Sequence, residues 1–160
     1  MRSSPACAPL DIPANAAHAQ SVSNSAAQLH VLLKRQLAQH ARAAFGLTIV
    51  ETRLIILVGM FGPVAVNTIA SRSDFDRTQI SRTMTGLVDA GLVAREAGKS
   101  DRRESVLKLT RKGLGVHRKL VAWLYERNQA LIDGVPPGKL SAFFEVADLL
   151  VERARARAVA

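Results

Sequence analysis

With 160 residues the chain can bury one real core and is too short for two domains. Hydrophobic residues make up 48% of it but aromatics only 4%, so that core has to be built from Leu, Val, Ile and Ala, which suits packed helices and argues against a β-sandwich. The formal charge of +9 favours a polyanionic partner, either nucleic acid or an anionic membrane surface, and by itself does not choose between them.

No uninterrupted apolar run approaches the ~20 residues of a membrane span, so no membrane partner is expected. Residues 1–21 are interrupted by Pro5, Pro9 and Pro13 where a secretory signal needs an apolar run, and they read as a flexible tail. The single cysteine, Cys7, lies in that tail. It cannot form an internal disulfide, which fits a reducing cytoplasm, and no basic neighbour or helix start lowers its pKa toward redox sensing.

Leu29, Leu32, Leu33 and Leu37 then recur at helical spacing among Lys34, Arg35 and Gln39, predicting an amphipathic helix over about 22–42 that Phe45, Gly46 and Leu47 end. Thr48 is suited to cap a second helix with Glu51 in its first turn. That helix, ETRLIILVGM, is apolar on most sides and expected to be buried, and Gly62 and Pro63 stop it. A short third helix, VNTIASR, turns Val66, Ile69 and Ala70 inward.

After the turn SDF, Asp76 opens DRTQ, an N-cap with a side-chain amide three residues on. Ile80, Met84, Leu87 and Val88 form one apolar stripe, and Arg77, Thr78, Gln79, Ser81, Arg82 and Thr85 occupy the opposite face. Gly91 closes the helix in left-handed geometry, with Leu92 making the accompanying apolar contact. The period then changes to two. LVARE and SVLKL predict a hairpin with Leu92, Leu107 and Leu109 facing in, Arg95 and Lys108 facing out, and the charged run GKSDRRES at its tip. Thr110 caps a long helix aligning Leu114, His117, Val121, Leu124 and Leu131. Asp133, Gly134, Pro136 and Pro137 break it, and a last helix holds Leu140, Phe143, Phe144, Ala147, Leu150 and Val151 inside.

The fold class expected is therefore mainly α with a small β-hairpin wing: a tail at 1–21, a helix at 22–47, a winged helix-turn-helix at 48–112 and C-terminal helices at 113–160. A short helix, a tight turn and a second helix with a polar face place that second helix in a DNA major groove. Arg77, Thr78, Gln79, Ser81 and Arg82 are the chemical types that reach base edges or phosphates, although any solvated helix face is also polar. Beside them a charged finger can cross the backbone and put a guanidinium in the minor groove, with Lys99 and Arg102 best placed to touch DNA. Asp101 would repel phosphate and makes sense as an anchor, pairing with Arg103 or with arginines at the base of the preceding helix. Otherwise the two are a solvated pair of small energetic weight.

The run DRTQISRTMTGLVDAGLVAREAGKSDRRESVLKLTRKG resembles the winged helix-turn-helix of MarR-type transcriptional regulators, with the family's DxR wing motif at Asp101, Arg102 and Arg103 and its LT..G at Leu109, Thr110 and Gly113. GPVAVNTIA resembles the helix leading into the turn, and a looser likeness runs from about Leu29 to Val151. The resemblance implies an obligate homodimer built from the first, fifth and last helices that binds double-stranded DNA at a palindromic operator and usually represses nearby genes. It also implies a small effector, often a phenolic or aromatic carboxylate. The terminal helices support pairing independently, being too apolar for a lone chain of this size to cover. Two positions depart from the family pattern: Ala65 stands where a capping hydroxyl is common, and Asp74 replaces a common turn glycine.

His30, Arg53 and Trp123 lie on helices that line the effector pocket in such regulators; each is equally readable as surface, ion-pair or core. A protein-interaction module, with the wing and basic face docking an acidic partner, is the alternative from another class. No cofactor, no metal and no catalysis are expected, because the sequence holds no metal-ligand cluster, glycine-rich phosphate loop or nucleophile–base pairing.

Overall fold

The computed structural model describes residues 21–71, 75–97 and 105–158. The expectations for the tail, Cys7, Asp74 and the wing-tip residues Lys99, Asp101, Arg102 and Arg103 fall outside the described residues. The architecture is mainly helical with one small antiparallel sheet. The chain divides into two compact units inside its second helix, between Leu54 and Ile55.

In the first unit, α1 (Val22–Phe45) begins at Ser21, whose Oγ accepts from the Asn24 N–H at 3.1 Å, and ends at Gly46 in left-handed geometry, φ 70°. The Gly46 N–H donates to Arg42 O at 3.0 Å, the bond of an αL cap, and the Leu47 N–H donates to Ala41 O at 3.2 Å. α2 (Ile49–Phe61) opens with a reciprocal box. Thr48 Oγ1 accepts from the Glu51 N–H at 3.3 Å, while Glu51 Oε2 accepts from the Thr48 N–H at 2.7 Å. Thr52 is fully buried and its hydroxyl is satisfied by donating to Thr48 O at 2.8 Å.

In the second unit, β1 (Val64–Ala65) leads into α3 (Val66–Ala70), and α4 (Arg77–Asp89) follows. The strands β2 (Val93–Ala97) and β3 (Ser105–Leu109) form the expected hairpin. β1 pairs with the free side of β3, Val64 opposite Leu107 and Ala65 opposite Val106, so the sheet has three strands in the order β1-β3-β2 rather than two. A two-residue strand is too short to show a period in the sequence. α3 packs on α4, and α4 on β2. The core they enclose is aliphatic: Val64, Ile69, Ile80, Met84, Leu87, Val93, Leu107 and Leu109 are buried.

α5 (Arg111–Ile132) and α6 (Pro137–Ala158) complete the chain. Their apolar residues are less covered than the sequence predicts. Leu120 is buried, but Leu114 and Val121 are exposed, as are Phe143, Phe144 and Val151 on α6, a helix with no buried residue among those described. Met60 and Phe61 at the end of α2 are exposed as well. An apolar pattern reports which face avoids water, not whether the same chain supplies the cover.

Candidate nucleic-acid interface

α4 owes its start to Asp76, whose Oδ1 accepts from the Gln79 N–H at 2.8 Å in extended N-cap geometry. Its inner face is the stripe Ile80, Met84 and Leu87, each no more than 1% exposed. That burial fixes the helix's rotation about its own axis and turns Arg77, Thr78, Gln79, Ser81 and Arg82 to the outside, where all five are exposed. At 100° per residue Thr78, Arg82 and Thr85 lie farthest from the core stripe, Ser81 and Gln79 lie to either side of them, and Arg77 sits nearer the core face at the helix start. The Thr85 hydroxyl donates to Ser81 O at 3.1 Å, which leaves its lone pairs as the outward feature.

The far end of α4 is closed with unusual completeness. Gly91, at φ 68°, donates its N–H to Val88 O at 2.9 Å and Leu92 donates to Leu87 O at 2.9 Å, the two bonds of a Schellman motif. The next three carbonyls are taken from outside the helix. Lys112 Nζ donates to Ala90 O at 2.9 Å, Thr110 Oγ1 to Gly91 O at 2.7 Å, and the Thr110 N–H to Leu92 O at 3.0 Å. Thr110 Oγ1 also accepts from the Gly113 N–H at 3.1 Å and so caps α5. Gly113 is there because nothing larger fits: a Cβ would lie 2.0 Å from Leu92 O. The LT..G spacing thus has a geometric content, the joining of the α5 start to the α4 end.

The alternation in LVARE predicts Arg95 outward with Lys108, and the register corrects this. Arg95 pairs with Leu107 and Val93 with Leu109, so Arg95 shares the pleat face of two buried leucines, the face turned toward α3 and α4. It escapes burial because β2 is an edge strand and Arg95 lies toward the wing tip. A cation therefore stands on the α4 side of the wing. The opposite pleat face carries Lys108 and Glu96, which form an ion pair while both stay largely solvated. The strand residue that enters the core is Val93; Leu92 is buried as part of the helix closure.

Of the residues considered for an effector, His30 is exposed and Arg53 and Trp123 are half-buried. The Trp123 ring carries the Arg127 guanidinium at 5.1 Å from its centroid, one turn along the same helix. No group of residues with metal-ligand character occurs among those described.

Residues 45–104 match the sequence profile of the MarR family. No curated protein sequence matches the chain. Among solved structures, a MarR family transcriptional regulator from Silicibacter pomeroyi is 25% identical, with a TM-score of 0.76 over 91% of this chain and 96% of that one. FabT from Streptococcus pneumoniae, solved in complex with DNA, has a TM-score of 0.75 at 17% identity, covering 84% of this chain and 96% of that one. A MarR family regulator from Listeria monocytogenes, complexed with a 26mer DNA, has the same TM-score at 13% identity, over 84% of this chain and 89% of that one. The capped α4, the three-stranded wing and the sequence match converge: the chain has a winged-helix fold similar to that of MarR family regulators, and its residues 45–104 carry that family's sequence pattern.

Proposed function

We propose that the protein is a sequence-specific DNA-binding transcriptional regulator that acts as a homodimer on a palindromic operator, with repression as its mode. The observation that carries this is the division of α4 into a fully buried apolar stripe and an exposed face on which Thr78 and Arg82 lie farthest out, with Ser81 and Gln79 to either side and Arg77 at the helix start. Such a helix presents bidentate donors and acceptors at the depth of base edges, Arg to guanine and Gln to adenine. Two chains of the same fold are solved with DNA. The net charge of +9 supplies the phosphate-neutralising term, to which Arg95, Lys99, Arg102 and Arg103 contribute from the wing, with Asp101 as the wing's anchor.

Dimerisation is supported by apolar side chains left in water on α1 and α6. Leu32, Phe143, Phe144 and Val146 are all more than half exposed, at 58%, 56%, 56% and 54%. A small aromatic or phenolic carboxylate is the effector class proposed, on the family resemblance, and the cytoplasm is the compartment proposed for such a regulator. Among the described residues no single helix is long and apolar enough to cross a membrane.

The test is footprinting on selected operator DNA. Arg82→Ala should erase the preference for operator over scrambled duplex, about 1–3 kcal/mol of discrimination per half-site. Unchanged site preference in that variant would remove Arg82 from the base-reading role.

A further inference from the structure

The α4 end is held by groups that DNA recognition has not yet used. Three consecutive carbonyls, Ala90, Gly91 and Leu92, receive Lys112 Nζ, Thr110 Oγ1 and the Thr110 N–H, and Gly113 lets the α5 backbone come against Leu92 O. Lys112 also places its charge at the negative end of the α4 dipole, where a cation is favoured. A lysine two residues into a helix beside a basic wing invites assignment as a phosphate contact. Its ammonium is instead bonded to a backbone carbonyl of its own chain.

We infer that Thr110 and Lys112 are positioning residues for DNA recognition: by gripping the C-terminal end of α4 they set its angle to α5, and through it the half-site spacing that the dimer accepts. The leverage is geometric. α4 has 13 residues and is about 20 Å long, so a tilt of roughly 10° at its C-terminal end carries the Arg77 end about 3 Å, close to one base step. The apolar stripe resists rotation about the helix axis but opposes such a tilt only through soft aliphatic contacts. The hydrogen bonds at Ala90 and Gly91 resist it directionally. The inference rests on the DNA-binding reading above.

The experiment uses the full chain and a set of duplexes carrying the selected half-sites at the preferred separation and at separations one base pair longer and shorter. The wild type should discriminate among them. Lys112→Met and Thr110→Val should each lose about tenfold of that discrimination, the scale of a lost hydrogen bond to a charged or strongly polar group. Lys112→Arg and Thr110→Ser, which keep a donor in place, should restore it. The salt dependence of Lys112→Met binding should keep the wild-type slope, since a lost phosphate contact would lower it by about 0.9.

Full spacing discrimination in Lys112→Met, or a slope reduced by about one phosphate, would overturn the inference while leaving the DNA-binding reading intact. A wild type indifferent to sequence would instead overturn the reading itself, and the inference with it. Thr110→Val also removes the α5 cap; should it fail to fold, Lys112→Met and its arginine rescue decide the matter.

Discussion

Ala65 holds the backbone of a helix N-cap, φ −71° and ψ 148°, and brings no side chain to accept from the α3 amides. Ala65→Ser should supply that acceptor and raise stability by about 0.5–1 kcal/mol, readable as a higher midpoint in denaturant with unchanged slope. No gain would mean that β1 pairing, not capping, sets the α3 start. At this scale the sequence is informative wherever a residue has one physical use. Thr48, Asp76, Gly91 and Thr110 are legible as caps because a short oxygen side chain or a free φ before a helical period has few other roles. The second duty of Thr110, donating to Gly91 O across nineteen positions of chain, is not legible, because it depends on where the hairpin returns. Arg95 fails for a related reason: alternation assigns a residue to a face, and only the strand order reveals that an inner-face residue at a sheet edge stays in water.

Among the elements, α5 shows how two apolar stripes on one helix confuse a sequence reading. Leu114, Val121 and Tyr125 form one, all exposed, while Gly113, His117 and Leu120 form another that faces the core. His117 lies over Gly59 of α2, where a Cβ would come within 2.2 Å of the imidazole Cδ2. Its Nε2 is buried and has no partner among the described residues, and burial pushes its pKa below the ordinary 6.5. The unfolded chain therefore binds a proton that the folded chain refuses as pH falls below 6.5, so this group's effect is to lower stability progressively through that window and to leave it unchanged above. Thermal melting across the window should show the loss, and His117→Gln, which keeps a polar atom near Nε2 but does not titrate, should flatten it. An equally steep profile in that variant would place the titration elsewhere. Gly59 itself has no signature in ETRLIILVGM, since a helical glycine against a partner ring looks like any other until the partner is known.

For the molecule as a whole, the aliphatic composition and the order of helices, turn and hairpin lead correctly to a mainly helical chain with a wing, and the family resemblance agrees with the match over residues 45–104. The third strand and the exposure of α6 are not legible. One is a pairing of two residues with a distant segment, and the other is a question about a second molecule. The proposed dimer answers it by covering Phe143, Phe144 and Val146, so Phe143→Glu with Phe144→Glu should shift the protein to monomer in sedimentation and weaken operator binding together. Operator binding that survives in a monomer would separate the two halves of the proposal.

Selection of bound duplexes from a random pool at moderate salt decides whether the protein reads a symmetric sequence. An inverted repeat with half-site centres about one helical turn apart should emerge, and the affinity for it should fall with salt, linearly in log–log terms. A pool that emerges without an enriched sequence would contradict the proposed function.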